Sequence, residues 1–103
     1  MTKYHNKQTM VLGETFSSRK EAGRYQELLY MQRAGIIRDL ELQPRYDLVV
    51  NGVKIGFYKA DFRYFDVETA RVIVEDAKGM KTPVYQLKKK LVKAIHGIDI
   101  VEV

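Results

Sequence analysis

The chain is predicted to form an α/β fold in the order helix, three strands, helix, strand, and three observations carry that reading. Val50-Asn51-Gly52-Val53 joins two alternating apolar runs. Asn-Gly is a preferred pair for a type I′ hairpin turn, because both central residues need positive φ. Thr82-Pro83 supplies an N-cap and a first helical residue ahead of an apolar stripe that stops before Gly97. Ser17-Ser18 and Gly35 bracket another such stripe. The last third of the chain then reads strand, helix, strand, a crossover that makes its two strands parallel. A four-stranded mixed sheet flanked by helices is the expected result.

Taken in order, residues 1–16 form a polar tail with Lys3 and Lys7, then a small hairpin around Gly13, and residues 17–103 form the single domain. The first helix runs from Ser17 or Ser18 to Ala34. Ala22, Tyr25, Leu28 and Leu29 make its apolar sector, and Glu21 falls inside that sector. Two roles are open to Glu21. With Ser18 as N-cap, Ser18-Arg19-Lys20-Glu21 is a capping box and Glu21 serves its own helix end; otherwise its carboxylate joins a site on the sheet. Residues 40–50 read as a strand, with Pro44 at an edge, a bulge or the strand start. The next strand runs from Val53 to Phe65. A tight turn at Asn51-Gly52 sets Leu48 against Ile55, Tyr46 against Phe57 and Asp61 against Leu42. Asp61 then shares a core face with Leu42, Tyr46, Leu48, Ile55 and Phe57, unless a bulge slips the register by one. Residues 66–70 turn into a third strand from Arg71 to Ala77 or Lys78. The second helix spans Pro83 to His96, burying Val84, Leu87, Leu91, Ala94 and Ile95, with Lys89, Lys90 and Lys93 opposite and Lys88 at the stripe's edge. Residues 98–103 are the last strand.

Composition narrows the function classes. With 103 residues and no cysteine, disulfides, thiolate zinc sites and cysteine nucleophiles are excluded. Two histidines cannot build a histidine-rich metal site. No apolar run approaches the roughly 20 residues of a membrane span. The first eight residues lack the apolar core of a secretory signal, so a cytoplasmic location is expected. A formal net charge of +5 and a pI near 9.5 point to an anionic partner such as nucleic acid.

The chemistry gathers at two strand ends. Asp61 closes the second strand's apolar row. Asp76 and Lys78, two residues apart, continue the row of Val72 and Val74 on one face. Acids so placed can share a divalent cation, and a lysine beside them can orient water. Singly, Asp61 reads as an exposed strand acid, and Asp76 with Lys78 as a surface pair.

This D…(D/E)-x-K arrangement within α-β-β-β-α-β resembles the PD-(D/E)XK, or restriction-endonuclease-like, nuclease superfamily. More closely, Phe16-Ser17-Ser18-Arg19-Lys20-Glu21-Ala22, Leu40-Glu41-Leu42-Gln43-Pro44, Ala60-Asp61-Phe62, Val74-Glu75-Asp76-Ala77-Lys78-Gly79, Lys88-Lys89-Lys90-Leu91 and the end Ile98-Asp99-Ile100-Val101-Glu102-Val103 resemble a family of small phage and prophage proteins placed in that superfamily. Ala60 stands where the motif's proline often does. The resemblance implies catalytic roles for Asp61, Asp76, Lys78 and Glu21, with Glu75 as the alternative acid. It implies Mg²⁺ or Mn²⁺ held by Asp61, Asp76, Glu21 and the Ala77 carbonyl. Lys89, Lys90, Lys93, Arg19, Lys20 and Arg24 are candidates for a phosphate track, or else solvated helix faces. The implied activity is metal-dependent hydrolysis of DNA by a phage or prophage protein in a bacterial host. Its form would be a structure-specific endonuclease of Holliday-junction-resolvase type, acting on branched DNA as a homodimer. The alternatives are a non-catalytic DNA-binding or accessory protein on the same fold, and a phage protein that binds a host factor.

Overall fold

Both helices begin where the sequence places their caps. A computed structural model of the chain describes residues 9–77 and 81–103; the tail 1–8 and Lys78 lie outside the described residues. β1 (Thr9–Val11) and β2 (Glu14–Phe16) form the small hairpin around Gly13. α1 (Arg19–Arg33) follows, with the Ser18 hydroxyl accepting the Glu21 N–H at 3.1 Å. Next come β3 (Ile37–Leu42), β4 (Arg45–Val50), β5 (Val53–Lys59), β6 (Phe62–Asp66) and β7 (Arg71–Asp76). α2 (Pro83–His96) starts on the Thr82 cap and stops at Gly97, which takes the left-handed conformation at φ 72° and returns its N–H to the Lys93 carbonyl. β8 (Ile100–Glu102) ends the chain.

The central sheet has the order β3-β6-β7-β8. Its first three strands pair antiparallel, and β7 pairs with β8 in parallel, as the crossover through α2 requires. The architecture is therefore mixed α/β, with two helices, a four-stranded mixed sheet and two two-stranded hairpins among the described residues. None of those helices is long and apolar enough to cross a membrane.

The sequence reads residues 40–50 and 53–65 as two long strands; the structure breaks each in two. β4 and β5 leave the sheet as a separate hairpin, hereafter the arm, while β3 and β6 stay in it. Hydrogen bonds from the Gln43 N–H to the Asp61 carbonyl and from the Ala60 N–H to the Pro44 carbonyl carry the ladder across the break. Pro44 lacks a donor but still offers its carbonyl, which explains its tolerance there. At the arm's tip Val50 faces Val53, and Asn51 and Gly52 have φ of 50° and 77°.

The expected register fails three residues later. Val49 pairs with Lys54 but Leu48 pairs with Gly56, so Ile55 is an extra residue beside a glycine. Tyr46 consequently faces Tyr58, not Phe57, and Ile55 and Phe57 turn to solvent. A second bulge restores the count. Between the pairs Arg38–Phe65 and Glu41–Arg63, β3 spends two residues against one, with Asp39 at φ 58°. Between the bulges Leu42 faces Phe62.

The sheet is buried on both sides. α1 covers one face, where Phe16, Tyr25, Leu28, Ile37, Phe62 and Tyr64 pack together and the Tyr25 and Phe62 rings stack at 6.3 Å. Leu42 packs against this cluster. On the other face α2 and the arm enclose Tyr46, Leu48, Tyr58, Val74, Tyr85, Val92 and Ile100. α2 is turned partway from its expected stripe: Leu91 and Ile95 pack against the core as expected, but Tyr85 and Val92 are its buried residues, whereas Val84 and Leu87 are exposed and Ala94 faces solvent. The reason is Tyr85. Its hydroxyl finds the Glu102 carboxylate at 2.9 Å, so the ring can be buried at little polar cost. The stems of Lys88 and Lys89, both half-buried, fill the turn between Tyr85 and Val92.

This orientation gives opposite outcomes for two leucines. Leu28→Ala, wholly buried under α1, should cost about 2–5 kcal/mol in urea denaturation. Leu87→Ala should stay within about 0.5 kcal/mol of the parent.

Candidate functional site

β7 ends on two consecutive buried acids, and a strand must send them to opposite faces. Glu75 points to the α1 side. Arg24 reaches it from α1 with Nε 2.8 Å from Oε1 and Nη2 2.6 Å from Oε2, a bidentate pair. The Tyr64 hydroxyl donates to the same carboxylate. Glu75 is 1% exposed, so this clamp supplies the partners its charge needs. The bond to Glu75 raises the Arg24 pKa further. Burial, then the bond to Glu75, raises that of Tyr64. Both therefore remain donors at any physiological pH.

Asp76 points to the α2 side and is fully buried. It accepts the Tyr58 hydroxyl from the arm. Phe62 faces Glu75 in the ladder, so Asp61, one residue before β6, stands beside Asp76. Asp61 Oδ2 accepts the Ala77 N–H at 2.6 Å, which ties the carboxylate to the end of β7. Burial and then Asp76 push the Tyr58 pKa up; burial and then Glu102 do the same for Tyr85, and the charges of both Asp61 and Asp76 reach each phenol. Two carboxylates and two neutral phenols thus share this corner of the molecule. Of the core face expected around Asp61, Tyr46 and Leu48 are buried, Leu42 packs against the α1-side cluster, and Ile55 and Phe57 are exposed.

The sequence names Glu21, Asp61, Asp76 and Lys78 as one site. The structure brings Asp61 and Asp76 together. Lys78 lies outside the described residues. Glu21 is buried on α1, its amide on Ser18 and its Oε1 taking the Ser17 hydroxyl at 3.2 Å. No three His, Asp or Glu side chains are grouped to hold a metal among the described residues. The two carboxylates that border the end of β7, Asp61 and Asp76, are oxygen donors that suit a hard divalent ion. Mg²⁺ is commonly bound by one or two carboxylates and completed by water and substrate phosphate.

The candidate phosphate track is partly engaged already. Arg24 is held by Glu75 and by Glu27 at 3.1 Å. Lys89 Nζ is 3.3 Å from Glu102 and Lys93 Nζ is 2.8 Å from Asp99. Hydrogen bonds from Lys81 and then Tyr85 lower the Glu102 pKa to about 2. Lys90 lines a groove of about 510 Å³ between α2 and β8 with these groups, and Arg19 and Lys20 line one of about 320 Å³ at the start of α1. Sequence reasoning missed Tyr58 and Tyr64. The one available signal was general: buried acids at the end of β7 need donors, and Tyr58 serves Asp76 while Tyr64 serves Glu75.

Arg24→Ala should leave Glu75 buried without its cation and cost about 3–5 kcal/mol in urea denaturation. Arg24→Ala with Glu75→Gln should recover part of that loss, because the stranded charge is gone.

Comparison with the curated proteins and with the solved structures gives no match. A family model does match, over residues 1–98, and on that extent the chain belongs to the family described as Protein of unknown function (DUF1064).

Proposed function

We propose that the protein is a metal-dependent DNA hydrolase built on a restriction-endonuclease-like core. The observation that carries this reading is the meeting of Asp61 and Asp76 at the end of β7, within the order α1, β3, β6, β7, α2, β8. Mg²⁺ or Mn²⁺ would be held there by Asp61, Asp76 and the Ala77 carbonyl, with Glu21 as a further donor. When bound, it would supply electrostatic stabilisation of the phosphate and of the leaving oxygen.

The chain's own groups have separate tasks. Tyr58 fixes the orientation of Asp76. The Ala77 amide fixes that of Asp61. The Arg24–Glu75 clamp holds the strand that carries Asp76. Lys78, on the Asp76 side of the strand by spacing, would orient the attacking water. Lys89, Lys90, Lys93, Arg19 and Lys20 would meet the DNA backbone, with Lys89 and Lys93 exchanging a carboxylate for a phosphate, while Arg24 stays on Glu75. Recognition by shape and backbone suits so small a domain better than base reading does. Cutting a branched junction would need paired nicks and hence a second copy of the chain. The second reading is a DNA-binding protein that does not cleave, favoured by the grouping of fewer than three acids at the site among the described residues.

A panel of branched, flapped and linear DNA with Mg²⁺ or Mn²⁺ separates the two. Cleavage by the parent should fall by at least about 100-fold in Asp61→Asn, Asp76→Asn and Lys78→Ala. The asparagine variants should stay folded by circular dichroism. No metal-dependent cleavage of any substrate leaves the second reading. Glu21→Gln preserves a capping box, so unchanged cleavage assigns Glu21 to its helix end.

Replacing Lys89, Lys90 and Lys93 together by glutamine should weaken DNA binding and flatten its dependence on salt, since fewer counterions are released. An unchanged slope places the contact surface elsewhere.

A further inference from the structure

Between β5 and the first turn of α2 lies a groove of about 300 Å³, lined by Phe57, Tyr58, Lys59, Thr82, Tyr85 and Lys88. Tyr58, whose hydroxyl is on Asp76, forms part of its wall. Several cations of the grooves beside α1 and β8 already have acidic partners. Lys81, Lys89, Lys93 and Arg24 each have a carboxylate within ion-pair distance. Among the described residues Lys59 and Lys88 have none, so their charge is available to a ligand.

The groove also has a flat apolar surface. Phe57 is 39% exposed. The Arg45 guanidinium lies 3.9 Å from its ring centroid and the Lys88 ammonium 5.4 Å. Aromatic rings and guanidinium planes are the surfaces on which unpaired bases stack. Phe57 and Lys59 are two residues apart on one strand, roughly 7 Å, so one can hold a base while the other meets its phosphate. A paired duplex does not present base faces to such a ring.

We infer that this groove binds an unpaired nucleotide of a nucleic-acid strand, the base on the Phe57–Arg45 stack and the phosphate between Lys59 and Lys88. Binding stands on the groove alone. That the strand leads its next phosphodiester to Asp61 and Asp76 rests on the hydrolase reading, and it names the substrate class of that site: DNA with a single-stranded segment, as at a flap or a branch.

The test uses the full chain without divalent cation and fluorescence anisotropy with labelled oligothymidylate and a duplex of equal length. Phe57→Ala and Phe57→Leu should each lose about tenfold in single-strand affinity, with duplex affinity unchanged. Lys59→Gln with Lys88→Gln should lower the single-strand salt slope by about 1.4. Leu87→Ala, on the exposed side of α2, should bind as the parent does. The leucine variant keeps apolar bulk, so its loss reports the ring and not a collapsed arm. Absence of single-strand binding, full affinity in Phe57→Leu, or an equal loss on duplex overturns the inference. A chain that binds single strands through Phe57 but cleaves nothing overturns only the hydrolase reading. A chain that cleaves and is indifferent to Phe57 overturns only this one.

Discussion

Two neighbouring carboxylates on a central strand cannot share a solution. The pleat sends Glu75 and Asp76 to opposite faces, each face is covered, and each acid is 1% exposed or less. A buried charge without partners costs several kcal/mol, so each side of the sheet must supply its own. On the α1 side Arg24 and Tyr64 meet Glu75; on the α2 side Tyr58 meets Asp76. These partners come from α1, from β6 and from the arm. α1, β6 and the arm are thereby fixed to one strand end, and α1 cannot slide along the sheet without stranding a charge.

That constraint also separates structure from chemistry in the acidic pair. Glu75 is tied down by a bidentate guanidinium, a geometry that leaves little for a ligand. Asp76 is met by a neutral phenol, which orients a carboxylate without cancelling its charge. Asp61, held on the Ala77 amide, borders the same strand end.

Local signals were legible and long-range ones were not. Caps and stops placed both helices to within about a residue, because Ser18, Thr82 and Gly97 act on their own neighbourhoods. Asn51-Gly52 placed the arm's tip for the same reason. The parallel pairing of β7 with β8 followed from the crossover. The failures had tertiary causes. No local pattern shows that a strand leaves one sheet for another at Pro44 and Ala60, or that Ile55 is skipped. The face of α2 was misread because tyrosine was left out of the stripe, although Tyr85 can satisfy its hydroxyl on Glu102. In the candidate site, spacing and alternation set Asp61 and Asp76 at neighbouring strand ends, and the structure adds the bond from the Ala77 amide to Asp61. The phenols over them depended on the slipped register that brings Tyr58 inward.

The two bulges of the long hairpin have an evolutionary corollary. One adds a residue to the outgoing half at Asp39–Leu40, the other adds one to the returning half at Ile55, so the pairing is offset only between them. Losing either one alone would flip the segment that contains Tyr46, Tyr58 and Asp61 relative to the rest. Losing both would restore a straight ladder with a different lining for the acidic corner. Among descendants of this gene, single-residue insertions and deletions at these two places should therefore be inherited as a couple. The arm beyond Ile55 is free of that coupling and can lengthen or shorten by residue pairs.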